Sequence, residues 1–223
     1  MDWIDDEINT GKYGESKDVG YYSKCNIFTS DIAKRGWGVE LPRLRDDQYV
    51  RQNDYDKNYR GNEDKPMSAV TLDRYYKERS KLIGSGVKEI PPQVASQLAN
   101  NEQLVLVVGQ GHATIAAPSD KNWPTVYRSD APTRGTDKRT RVGVNLDKEG
   151  KSAFKFFLIN PEEYNSFSKT LKDSGYSDED IYTKFRKAKE DEKKSPNAFP
   201  SYSGDILIPN EKFEKLQEML VKK

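Results

Sequence analysis

The sequence predicts an α+β fold: a mainly antiparallel sheet flanked by helices, with an extended irregular N-terminal arm. Three observations predict it. Residues 104–159 hold short β-rich runs separated by turn residues. Residues 67–103, and those after 160, place apolar side chains at helical spacing. Residues 1–66 place them at neither period. The expected division is an arm over 1–66 and a compact α+β domain over 67–223.

In the arm the aliphatics Ile4, Ile8, Val19, Ile27, Ile32, Val39, Leu41, Leu44 and Val50 stand apart among Asp, Asn, Lys, Arg and Gly. Such composition buries too little apolar surface to order a segment unaided. The arm is nevertheless rich in aromatics, and Tyr, Trp and Arg are the residues enriched where chains dock. Trp3, Tyr21, Tyr22, Trp37, Tyr49, Tyr55 and Tyr59 are therefore the candidate partner-binding anchors.

From residue 67 the pattern is regular. "SAVTLDRYYKERSKLIGSG" reads as a helix capped by Ser68 or Thr71, with Leu72, Tyr75, Tyr76, Leu82 and Ile83 on one face and Gly84 as its stop. "PPQVASQLANN" reads as a short helix with Pro92 in its first turn. Strands are expected at 104–108, 112–117, 125–128, 141–146 and 152–159, the last two joined as a hairpin by "LDKEGK", with Gly150 at positive φ. Asn160 caps a helix carrying Tyr164, Phe167 and Leu171 and ending at Gly175. Beyond it the pattern predicts a helix with Ile181, Phe185 and Ala188 inward, a short strand "DILIP", and a last helix bearing Phe213, Leu216 and Leu220.

The stretch "LVLVVGQGHATIAAPS" tests the commonest ligand motifs. Gly109 and Gly111 are followed by Thr114 where a dinucleotide fingerprint needs its third glycine, and no Gly-Lys-Ser/Thr of a phosphate loop follows. The continuation alternates like a strand, so "VGQGH" is a hairpin turn and "LVLVV" a central strand covered on both faces. His112, the sole histidine, has no nucleophile elbow to serve and reads as structural.

Composition bounds the function classes. With 37 basic and 36 acidic residues and a net charge of +1, no global field draws the chain to nucleic acid or an anionic membrane. Cys25 is alone, so neither an internal disulfide nor a cysteine zinc site is available. "MDWIDDEINT" has no basic and apolar leader pattern, and no apolar run approaches the ~20 residues of a membrane span. The expectation is a soluble protein of the cytoplasm, or of a particle assembled there, with no cofactor, no metal and no membrane partner.

Two sharper chemistries remain. Arg128, Arg134, Lys138, Arg139 and Arg141, in "RSDAPTRGTDKRTR", could meet phosphates from a long loop and are the candidate nucleic-acid contacts. Glu149-Gly150-Lys151, with Asp130 or Asp137 upstream, matches on paper the carboxylate–lysine set of metal-dependent nucleases, although a turn splays such side chains into water. The helix after Gly175 has the place of a recognition helix, but its Asp178, Glu179 and Asp180 would repel a phosphate backbone. The function expected first is a non-enzymatic structural or assembly protein. Its partners would be other protein subunits of a large complex, such as a phage virion, reached through the N-terminal arm. A nucleic-acid-associated protein is the alternative, and a metal-dependent hydrolase or nuclease the second alternative.

Overall fold

A computed structural model of the chain describes residues 1–11, 25–44, 65–67, 69–109, 112–121, 123–128 and 140–175. The helix, strand and helix expected after residue 176 lie outside them. The α+β class holds. The helices are α1 (Asp2–Asn9), α2 (Cys25–Trp37), α3 (Ala69–Arg79), α4 (Ala95–Asn100, after a 3-10 turn Pro92–Val94) and α5 (Pro161–Asp173). The strands are β1 (Arg43–Leu44), β2 (Lys65–Pro66), β3 (Val87–Ile90), β4 (Leu104–Gly109), β5 (His112–Ile115), β6 (Thr125–Tyr127), β7 (Arg141–Gly143) and β8 (Lys155–Ile159).

The main sheet has the order β3-β8-β4-β5 and is antiparallel throughout, with Leu106 facing Phe157 on one side and Ile115 on the other. β4 is buried along its whole length, as a central strand must be when both faces are covered. Alternation sorts its side chains. Leu104, Leu106 and Val108 enter the larger core with Phe157, Ile159 and the helices α1, α2, α3 and α5. Val105 and Val107 enter a smaller core with Ala95, Ala99, Phe156 and Val126. The second layer is α4 and the β6–β7 ladder, joined to β5 by the bridge Ala116–Val126.

The structure revises three local expectations. Ile4 and Ile8, and likewise Phe28 and Ile32, are (i, i+4) pairs on short helices, each fully buried in the larger core. One helical turn of apolar contact is too short to stand out as a period. "LDKEGK" does form a tight turn, with Asp147 accepting from the Gly150 and Lys151 amides and Gly150 at φ +73°. The strands it joins are nevertheless not a hairpin, because β7 pairs with β6 while β8, apolar on both faces, lies between β3 and β4. Finally, α3 ends at Arg79, and the turn that follows carries Ile83 outward, 65% exposed, while Arg79 is fully buried.

Among the described residues no helix is long and apolar enough to cross a membrane. Among the described glycines the closest approach is at Gly86, at φ +70°, where an added Cβ would lie 2.2 Å from the backbone nitrogen of Tyr164. Gly86→Ala is expected to cost about 3 kcal/mol or more, because backbone cannot yield as a side-chain tip can. Urea unfolding of the variant checks this through a lowered midpoint at an unchanged slope.

Candidate functional site

Sequence reasoning offered two candidate surfaces, the aromatic arm and the basic loop, and the fold roots both at one end of the sheet. α2 spans about 20 Å and packs along β5. Trp37, at its C-terminal end, donates Nε1–H to the carbonyl of Glu102 at 2.7 Å, just before β4 begins. Asn26, in its first turn, donates Nδ2–H to the carbonyl of Met67 at 3.4 Å, just after β2. The first turn of α2 thus lies toward the end where β4 finishes. β1 and β2 pair there antiparallel, Arg43 with Pro66 and Leu44 with Lys65, so the connection 45–64 departs and returns at one place. Met67 N–H bonds Pro42 C=O below that pair at 3.1 Å. Connection 12–24 reaches the same place where it enters α2. β6 runs antiparallel to β5, so connection 129–139 also departs in the direction in which β4 ends, its root closed by Arg128 N–H to Thr140 C=O at 2.7 Å.

Of the seven aromatic anchors, Tyr21, Tyr22, Tyr49, Tyr55 and Tyr59 lie on those connections, outside the described residues. Trp3 and Trp37 are both half-buried against the larger core. The Arg35 guanidinium sits 5.2 Å over the Trp3 ring, and Gly36 leaves that ring room that a Cβ would take, at 3.1 Å. An indole packed on its own core and bonded to its own backbone does structural work, which a list of aromatics cannot separate from partner contact.

The basic set divides likewise. Arg134, Lys138 and Arg139 lie outside the described residues, and Arg128 is half-buried at the root of the connection. Arg141 is engaged by α1. Its Nε and Nη2 donate to the Asp5 carboxylate, Nε at 2.9 Å, and Nη2 also donates to Asp2 at 3.3 Å. Thr140 Oγ1–H donates to the same Asp5 carboxylate, and the guanidinium lies 5.5 Å over the Tyr127 ring. Burial opposes the charge on Arg141, but the hydrogen bond it donates to Asp5 leads the effects that outweigh burial and hold its pKa above the ordinary arginine value.

Asp130 and Asp137 lie outside the described residues, while Lys151 is paired with Glu149 in the open turn, the two side chains 72% and 69% exposed. Among the described residues no three His, Cys, Asp or Glu side chains gather as a metal site. His112 meets Phe154 edge-on, ring centres 6.5 Å apart.

The most organised polar cluster escaped the sequence reading altogether. Arg79 Nη1 donates to Tyr75 Oη at 2.9 Å, Nη2 to the Tyr164 carbonyl at 2.8 Å and to Ser168 Oγ at 3.0 Å, and Nε to the Ser85 carbonyl at 3.3 Å. Its guanidinium stacks 3.5 Å from the Tyr164 ring centre, with Phe167 at 5.0 Å. These partners are carbonyls, hydroxyls and rings, and they use an arginine's fork of donors and its flat face. Beside it, Tyr76 and Tyr164 share a 3.1 Å hydroxyl hydrogen bond in the buried core. The signal was available only as aromatic-x-x-x-Arg spacing on one helix, with Tyr75 four residues before Arg79.

Comparison of the chain with protein-family models, with curated proteins and with solved structures returned no match.

Two outcomes follow from this geometry. Trp37→Ala is expected to lower stability by roughly 1–2 kcal/mol, through lost packing of the half-buried indole, read as a fall in the thermal midpoint. Burial first, then neighbouring tyrosines, push the Tyr76 hydroxyl well above the ordinary tyrosine range, and burial pushes Tyr127 up as well. A raised folded-state pKa gives stability that is fully present below the unfolded value, about 10, and is lost as pH rises toward the folded one. The unfolding free energy should therefore fall with pH above about 10, and Tyr76→Phe should flatten that fall in a urea series taken across alkaline pH.

Proposed function

We propose that this chain is a non-enzymatic assembly protein that docks other protein subunits of a large complex, a virion being one such complex, through Tyr21, Tyr22, Tyr49, Tyr55 and Tyr59. One observation carries the reading. Connection 45–64 is tied at both ends by the β1–β2 pair, where connection 12–24 also enters the body. Long connections in compact domains are frequent carriers of function, and a segment whose two ends meet does not serve to join two bodies. Its Tyr, Asn, Arg and Gly content is that of adaptable binding loops, in which tyrosine supplies contact area at low entropic cost.

Two of the aromatics first assigned to docking, Trp3 and Trp37, are given a home role by their contacts, so the tyrosines carry the proposal. The alternative, nucleic-acid contact through 128–141, draws on Arg134, Lys138 and Arg139, with Arg141 already neutralised by Asp5.

Sedimentation of the full chain over a range of concentration tests the reading. Self-association is expected, lost in the triple variant Tyr49→Ala, Tyr55→Ala, Tyr59→Ala with the unfolding midpoint unmoved. A chain that stays monomeric and instead binds single-stranded DNA at low salt, weakening steeply as salt rises, would transfer the function to the basic loop.

A further inference from the structure

We infer that α1 is an exchangeable clasp: the groove it fills also receives α1 of a second copy of this chain, so that neighbouring subunits trade N-terminal helices. The inference rests on the assembly reading for the presence of a second copy, and on the following contacts for the mode of joining.

α1 is bound as a ligand is bound. No backbone hydrogen bond among the described residues joins it to another element, those at its ends being internal, such as Ile4 to Met1 and Gly11 to Ile8. Apart from the Met1 carbonyl, which accepts from the Tyr127 hydroxyl at 3.3 Å, its hold consists of side chains. Ile4 and Ile8 are fully buried, the Asp5 carboxylate is gripped by the Arg141 fork and the Thr140 hydroxyl, and Glu7 pairs with Arg35 at 2.8 Å. This is helix-in-groove recognition, with apolar anchors at i and i+4 and a bidentate charge between them. Withdrawing the helix breaks no sheet ladder. An isolated helix of 8 residues does not persist in water, so α1 is helical only where a groove receives it.

Charge and reach make the second copy the occupant. α1 carries Asp2, Asp5, Asp6 and Glu7 and no base, while its groove presents Arg35 and Arg141. An acidic helix on every copy thus meets a basic groove on every copy, a contact that is complementary between subunits as well as within one. The Glu7–Arg35 pair sets the end of α1 beside the last turns of α2, about 15 Å from the first turn of α2, to which the chain must return. Residues 12–24 can extend to about 45 Å, roughly three times that gap. That reach is enough for the same connection to carry α1 to the groove of a neighbour. Such exchange forms new interfaces from contacts the fold already contains, and it costs little beyond the ordering of the connection.

The test uses two full-length chains, one with Glu7→Cys and one with Arg35→Cys, mixed and treated with a short bismaleimide. Cys25, buried, is left in place. The expected result is a cross-chain adduct as the main product. It should be lost when Asp5→Lys is added to the first chain and regained when the second also carries Arg141→Asp, which restores the ion pair only across chains. The unfolding midpoints of the singly changed chains serve as the check on folding. A chain carrying both cysteines that closes only on itself, together with a mixture that yields no adduct, overturns the exchange. If that chain still self-associates in sedimentation, the exchange fails while the assembly reading stands. If it is also monomeric, both fail.

Discussion

Burial of β4 on both faces is the constraint around which the molecule is arranged. A strand reading Leu-Val-Leu-Val-Val cannot leave either side in water, since each such side chain contributes about 1.5–3 kcal/mol on burial, so two layers have to be found for it. β8 and β5 satisfy its backbone, and β8 imports the same demand through Phe156 and Phe157, one ring for each face. The face that holds Leu104, Leu106 and Val108 takes four helices. Among the described residues the other takes α4 and a two-stranded ladder, and its residues are for the most part smaller. The N-terminal helices belong to this solution, because without Ile4, Ile8, Phe28 and Ile32 the larger core would be open along β5.

On that face the turn after α3 has to be held against α5, a demand of its own. Arg79 meets it. The last residue of α3 turns its guanidinium inward and takes the carbonyl of Ser85 from the following turn and that of Tyr164 from α5, while Tyr164 covers its flat side. The turn and the helix it faces are thereby fixed to each other, and Gly86 lets their backbones approach. Carbonyl dipoles and ring faces can replace water around a guanidinium because its charge is diffuse; a lysine ammonium would lack both the fork and the plane.

The fold was legible wherever an element had enough length to display its period. Leu104–Ile115 with its glycine turn, and Asn160–Asp173 with its cap and its Tyr164, Phe167, Leu171 stripe, can be read residue by residue. α1 and α2 could not be, because each gives the core only one or two turns of apolar contact, and charged residues fill the remaining positions. Partner choice among strands was hidden for a different reason: the turn 147–150 is well written in the sequence, but the pairing of β7 depends on β6, fourteen or more residues away, and on nothing local. For the candidate sites, residue type indicated contact and gave no indication of the other party. Trp37 and Arg141 have the chemistry of interface residues and exercise it on Glu102 and Asp5 of the same chain.

The closed base at Arg43–Leu44 and Lys65–Pro66 has a bearing on how this chain can change over time. The β1–β2 pair requires the two ends of residues 45–64 to meet, and the entropic cost of closing a flexible connection grows only with the logarithm of its length, a doubling costing about 0.6 kcal/mol. A change of length between those ends therefore adds little to the cost of closing the pair. Under the docking role proposed above, insertions or deletions between Leu44 and Lys65 would refit the connection to other partners while the β1–β2 base stays as it is.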